Sequence, residues 1–496
     1  VDKVILLAYI VVLSFLAAFS FRAFWLYYLY RKHRGTWRTP TPPQLGEWPK
    51  VCVQLPMYNE YAVAERIIRA AAALKYPKDR LEIQVLDDSD DETVEIVRRV
   101  VSELSAQGFN IRHIRRGSRE GYKAGALRYG LSLSDAELFA IFDADFVPPS
   151  DFLMRTVPHF QDPQIGAVQS RWGYMNDTSS PFAMLQAVIL DGHFVVEQFV
   201  RNREGLFMIF NGTGGVWRAN AIRDAGGWES DTITEDADLS YRAQLAGYKI
   251  LYLPDLVCPS ELPIEVNAFK SQQRRWTKGG VQTMRKILPR VMSARLPLKV
   301  KAEAFFHLAG NLAYPGMLVL AVLTLPVLLI KTFSNSYNWY FATAGAFIVA
   351  AFGFPLLYLT ALRDVYPDWT RRAWFIPFMM SMAMGISLNN AAAAIEGLFK
   401  KGGVFARTPK RGNSSTSLYK LSERRSQAIA EILFGIYMII TYIYCIATAQ
   451  LVLVPFTGLY AIGFLVIGFQ SYLSTLQAEV AIPKRLGAVH QVGEKR

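Results

Sequence analysis

The sequence predicts an α/β domain with a mostly parallel sheet, joined to an α-helical transmembrane bundle through amphipathic helices at the membrane surface. Three observations carry this. The 496 residues are 52% hydrophobic, yet 54 basic and 41 acidic residues remain, so an apolar part and a water-exposed part coexist. Long apolar runs lie at the two ends of the chain. Between Val51 and Pro254, short β-rich runs alternate with helix-period stretches.

Taken in order, residues 1–30 predict a transmembrane helix. "VILLAYIVVLSFLAAFS" is followed by Arg22, by the aromatic residues Trp25, Tyr27, Tyr28 and Tyr30, and by "RKHR". Positive flanks favour the cytosolic side, which places the N-terminus outside and residues 31–262 in the cytosol. The runs "VCVQLP", "LEIQVLDDS", "NIRHIR", "ELFAIFDAD" and "IGAVQS" read as buried strands, and 60–74, 91–107 and 122–133 as helices. Ligands of such sheets collect at the carboxyl ends of strands. Residues 263–300 read as interfacial amphipathic helices and 301–475 as the C-terminal transmembrane region. Within it, 304–330 and 339–362 are spans, and 428–475 holds two more with a turn near Pro455–Gly458. Basic residues flank 374–396 on both sides, and Asn389, Asn390 and Glu396 lie inside it. It is expected to be interfacial or re-entrant, so that 400–425 and the tail 476–496 stay cytosolic after five crossings.

The formal charge of +13 suits anionic lipid or an anionic substrate. No zinc-finger spacing, RNA-recognition signature or basic arm is present, so nucleic acid is not expected as a partner. Cys52, Cys258 and Cys445 are too far apart for a disulfide framework or a metal cluster and fit a reducing compartment. No Gly-rich dinucleotide loop or Walker sequence occurs. No cleavable signal peptide is evident, and the chain opens without Met, so a few residues are expected to be missing.

Two predicted strands end in carboxylates, at Asp87-Asp88 and Asp143-Ala144-Asp145. In "FDADF", carboxylates one residue apart could share a hard cation such as Mg²⁺ or Mn²⁺ with a phosphate, or could simply cap a turn. "TITEDADLS" puts Thr234, Glu235 and Asp236 at a helix start, where Asp236 could be a cap or an ionised general base. "QQRRW" (272–276) could be a snorkelling interfacial segment anchored by its Trp.

Together "QLPMYNE" (54–60), "VLDDSDD" (85–91), "GYKAGAL" (121–127), "FDADF" (142–146), "FNGTGGVWR" (210–218), "AGGW" (225–228), "TEDADL" (234–239) and "QQRRW" resemble the membrane-embedded synthases of glycosyltransferase family 2. The likeness is greatest to the cellulose synthase-like A and C branch, whose members make mannan, glucomannan and glucan backbones. "NGTGG" departs from cellulose synthase itself, which puts acceptor and product in question. The resemblance implies a GT-A-like cytosolic domain and inverting, processive polymerisation of a nucleotide sugar into a β-linked, β-1,4 polysaccharide moved across the membrane. UDP-glucose is favoured as donor, with GDP-mannose next. It implies donor contacts at Pro56, Tyr58, Glu60, Asp88, Lys123, Asp143, Gln272 and Arg275. Metal ligation falls to Asp145 with Asp143, acceptor contacts to Asn211, Gly212, Thr213 and Trp276, and catalysis to Asp236 with Glu235, Thr234 and Arg275. "GGVFARTPKRG" resembles a gating loop with Phe405, Arg407, Thr408 and Lys410 facing phosphate, although a lipid-headgroup-binding charge run would look the same. A multi-pass protein of a bacterial inner membrane or a eukaryotic Golgi or plasma membrane follows. Rival readings are single addition to a membrane lipid and a transporter with a nucleotide-binding domain; the absence of repeated apolar segments speaks against the latter.

Overall fold

The computed structural model describes residues 1–36, 41–334, 337–403 and 425–493, with side chains up to residue 476. Seven strands form one sheet in the order β3-β2-β1-β4-β6-β5-β7. They are β1 Val51–Met57, β2 Leu81–Asp87, β3 Ile111–Ile114, β4 Leu138–Ile141, β5 Ile165–Tyr174, β6 Gly215–Arg218 and β7 Lys249–Ser260. The first four are parallel, in the register Val51 to Leu81 and Val51 to Leu138. β6 runs antiparallel to both neighbours, and β5 and β7 pair in parallel. The predicted strands and the mostly parallel sheet are therefore present, and β6 and β7 are additions. β7 hides a proline: between Leu253 and Val257 the register jumps, and Pro254 sits in that irregularity, where its missing N–H breaks no ladder.

Helices α2 Ala64–Ala72, α3 Thr93–Ala106 and α4 Tyr122–Ser132 cover the parallel half as the periodicity predicts. Among the described residues, six helices are long and apolar enough to cross a membrane, and one bent pair makes a possible seventh. With α1 Asp2–His33, these include α5 Pro181–Arg203, which the periodicity did not single out. α5 is 67% covered over its apolar window and packs between the sheet and the later helices. Then come α6 Glu235–Leu245, α7 Val266–Ser293, α8 Leu298–Phe333 and α9 Asn338–Val365. In the stretch 263–300, expected to form interfacial amphipathic helices, α7 runs to Ser293 and α8 begins at Leu298, after Pro297. α10 Trp369–Gly385 and α11 Ser387–Phe399 meet at 48°. Asn389 and Asn390 of α11 are buried, and Glu396 pairs with Arg274 of α7, so its polar side faces protein. α12 Arg425–Ala447 and α13 Val454–Gly493 complete the bundle. The turn between them lies at 448–453, ahead of Pro455, because proline fits the first turn of a helix at no hydrogen-bond cost.

Arg22 of α1 bonds Glu303 of α8 at 2.9 Å and approaches Glu197 of α5 at 3.5 Å, tying the N-terminal helix to both. Cys52, Cys258 and Cys445 are free thiols and buried.

Candidate active site

Every strand end that the sequence marks with carboxylates opens into one cleft that is itself open to solvent. Its sheet side holds Pro56, Tyr58, Glu60, Asp88, Lys123, Asp143 and Asp145. Its far side holds Asn211, Gly212, Thr234, Glu235 and Asp236, and α7 closes it with Gln272, Arg275 and Trp276. Segments more than 200 residues apart in sequence thus converge.

Asp88 is tightly held: Arg116 donates to both of its oxygens, at 2.8 and 2.5 Å, and to the carbonyls of Glu120 and Tyr122. Arg116 therefore pins the loop that leads into α4. Tyr122 has φ 49° and Asn59 φ 58°, left-handed conformations that cost non-glycine residues roughly 1–3 kcal/mol and gather at functional sites. Asn59 is kept there by Ser89 Oγ, which accepts its N–H, and by a reciprocal pair of bonds with Asp90. Between the two, the Arg119 guanidinium lies 3.2 Å from the centre of the Tyr58 ring and 5.1 Å from that of Tyr122. Sequence reasoning missed Arg119, Arg116 and Tyr122; the only signal was their adjacency to Lys123.

Lys123 donates to Asp143 at 2.6 Å and to the Gly212 carbonyl at 2.9 Å, joining the two sides of the cleft. Burial pulls its ammonium pKa down, but the Asp143, Glu235 and Asp236 carboxylates outweigh this and leave it raised. Asp236 is the second residue of α6, where its Oδ1 accepts the Ala237 N–H at 2.8 Å; the N-cap position falls to Thr234, not to Asp236. Burial pushes the Asp236 carboxyl up; burial and the Asp236 charge push Glu235 up to about 7. Burial lowers Arg275, against the pull of the surrounding carboxylates.

The irregular segment facing Asp236 is fixed by α6: Ser240 Oγ accepts from Phe210 N, and Gln244 exchanges two bonds with Met208. Gly212 has φ 78°, and a Cβ there would stand 2.9 Å from Asp236 Oδ2. A side chain at 212 would meet both the left-handed φ and the Asp236 oxygen, so the position calls for glycine. Asn211 lines the cleft and is braced by Gln198 and His193. Thr213, expected beside it, does not line the cleft. It is 1% exposed, with its Oγ1 accepting the Asp143 N–H at 2.8 Å, so it supports the carboxylate loop from behind.

α7 comes this close because Gly279 faces Thr234, where a Cβ would lie 2.6 Å from Thr234 Cγ2. A second carboxylate group, Glu229, Asp231 and Asp238, is bridged by Lys286 at 2.5, 2.7 and 3.0 Å, and Arg242 also pairs with Asp238 at 2.6 Å. Phe405, Arg407, Thr408 and Lys410 lie outside the described residues. The segment leading to them is anchored: Gln282 of α7 donates to the carbonyls of Lys400 and Gly402, and Gly402 N–H bonds Asp231 O.

A family described as "Glycosyltransferase like family 2" matches residues 49–279, from β1 to the middle of α7. A probable glucomannan 4-beta-mannosyltransferase 7 of Oryza sativa subsp. japonica is 36% identical over 414 residues, covering 79% of this chain and 68% of its own. Glucomannan 4-beta-mannosyltransferase 7 of Arabidopsis thaliana is 35% identical over 440 residues, covering 86% and 77%. A solved mannosyltransferase of Pyrobaculum calidifontis, in complex with GDP-Man and Mn²⁺, aligns with 78% of this chain and 99% of its own, at 22% identity and a TM-score of 0.48. That last likeness is too distant to carry residue roles. With its cleft, its membrane-length helices and these relatives, the chain belongs to glycosyltransferase family 2, in the cellulose synthase-like mannan and glucan synthase branch.

Proposed function

We propose that this membrane glycosyltransferase transfers mannose from GDP-mannose, at the cytosolic face, to the end of a growing β-1,4-linked chain that it passes across the membrane. The relatives' mannosyltransferase names move the donor preference from UDP-glucose to GDP-mannose. The observation that carries the mechanism is the single cleft in which Asp236, Lys123, Asp143, Arg275 and Trp276 meet.

Tyr58 and Arg119 offer a stacked, cationic platform for the base, with Asp88 at its edge. Arg275, Gln272 and Lys123 face the diphosphate as donors whose worth grows as the leaving group gains charge. Trp276 stacks the acceptor's terminal sugar. Asp236 takes the proton from the acceptor hydroxyl as its oxygen bonds the anomeric carbon. The bond from that carbon to the diphosphate breaks with its electron pair, inverting the centre. Glu235 and Thr234 hold Asp236 at the helix start.

Asp143 and Asp145, hard oxygen donors on the cleft wall with Asp143 one-third exposed, fit a divalent cation, Mg²⁺ or Mn²⁺. Such an ion would neutralise charge on the diphosphate; Asp145 would be the main ligand, since Lys123 already engages one Asp143 oxygen.

The test is purified full-length protein in nanodiscs with Mg²⁺ or Mn²⁺, offered GDP-mannose and UDP-glucose. A long, mannanase-sensitive, 4-linked product from GDP-mannose is expected. Product from UDP-glucose alone would overturn the donor, and a single sugar on lipid would overturn the polymerase reading.

A further inference from the structure

On the side of α7 turned away from the cleft lies a second polar cluster that the reaction does not use. Lys270 Nζ sits 3.0 Å from each Glu431 oxygen, on α12, and 3.0 Å from Ser471 Oγ, on α13. Ser471 donates in turn to Asn267 of α7 at 2.7 Å. Asn389 of α11 donates to the Lys270 carbonyl, and Gln427 of α12 bridges Asn389 and Glu431 at 3.0 and 3.3 Å. Lys270, Glu431 and Ser471 have no exposed surface.

A buried ion pair is weak evidence for stability, since apolar residues of similar size often replace one at little cost. What a lysine held by oxygens from two other helices does fix is orientation: apolar packing tolerates a sliding helix, whereas these bonds at about 3 Å do not. At about 100° per residue, Gln272, Arg275 and Trp276 lie roughly 200°, 140° and 240° round α7 from Lys270. A slip by one residue would turn all three through about 100° and shift them by about 1.5 Å. The cluster is therefore placed to set where Gln272, Arg275 and Trp276 stand.

We propose that the Lys270–Glu431–Ser471 cluster is a rotational clamp that positions Gln272, Arg275 and Trp276 against the acceptor and ties the transfer site to the membrane helices. Lys270 is a positioning residue, and the proposal rests on the roles given above to the α7 side chains. Loosening the clamp disturbs chain extension, which needs the indole and the Gln272 and Arg275 bonds that strengthen as the leaving group gains charge, more than ground-state donor binding, which keeps the sheet-side contacts at Tyr58, Asp88 and Lys123.

The experiment replaces Lys270 by Met together with Glu431 by Leu, and separately swaps the charges with Lys270→Glu and Glu431→Lys. The apolar pair is expected to yield folded, monodisperse protein with a KM for GDP-mannose within about threefold of wild type. Its kcat for extension should fall at least tenfold, with faster amide hydrogen exchange over residues 266–280. The charge swap should recover most of the extension rate. Wild-type extension and exchange in the apolar pair would overturn the clamp. Should that pair fail to fold, Asn267→Leu and Ser471→Ala, which strand no charge, are read in the same assays, and wild-type values there would overturn it equally. If Trp276→Ala extends chains like wild type, the acceptor role of α7 fails instead, while the exchange measurement still judges the clamp.

Discussion

Two adjacent carboxylates at the start of α6 carry opposite consequences for activity and stability. Removing the proposed base with Asp236→Asn is expected to lower transfer by about 10²–10⁴-fold while GDP affinity stays within a few-fold, read by single-turnover assay and calorimetry. Because burial raises the Asp236 carboxyl, the acid limb of kcat/KM should lie above the ordinary aspartate range of about 3.9. Glu235 behaves differently. Its folded pKa of about 7 exceeds its ordinary 4.5, so the folded state binds more protons between those values. Stability therefore falls as pH rises through that window and stays lower above it. Glu235→Gln should raise thermal stability at pH 8 by on the order of 1 kcal/mol and leave it unchanged near pH 4. A gain equal at both values would show that Glu235 is not held above its ordinary range. Gly212→Ala, which meets both a left-handed φ and the Asp236 oxygen, should lose transfer without losing the fold, checked by activity beside circular dichroism.

At the scale of elements, the parallel half of the sheet was legible because its strands are apolar runs closed by turn residues and its helices carry a clear period. β6 was not, being four residues of β-pattern after a glycine-rich turn, and β7 was masked by Pro254. α5 was passed over because Asp191, His193, Glu197 and Arg201 interrupt its apolar pattern; the protein buries Asp191 and Arg201 fully and His193 and Glu197 in part. The cleft was legible through its motifs, as residue types at strand ends and helix starts. Thr213 was misjudged because neighbours in a turn point in different directions, and Arg119 because its partner Tyr58 is 61 positions away. On α7, Gly279→Leu should push the helix off Thr234, and chain extension is expected to fall more steeply than donor binding.

For the whole molecule, the expected topology puts the α8–α9 connection outside and the end of α11 in the cytosol. A cysteine at Thr332 should react with an impermeant thiol reagent on intact cells, and one at Lys401 only after permeabilisation. External labelling at 401 would turn 369–399 into a true crossing and detach the 400–425 segment from a cytosolic donor. Since the three native thiols are buried, the labelling needs no cysteine-free background.

The cleft wall supplied by α7 has a further bearing on how such enzymes change. A donor-binding half ending at residue 262 would keep Asp143, Asp145 and Asp236 but leave the cleft without one side. The α/β domain is thus not an exchangeable cassette. A chimera that grafts another relative's sugar preference onto this bundle has to carry the stretch through Ser293 with it, together with the buried partners that stretch expects to meet. Inheritance of new specificity is constrained by the same helix, because a substitution that suits the sugar must also suit the membrane helices on its far side.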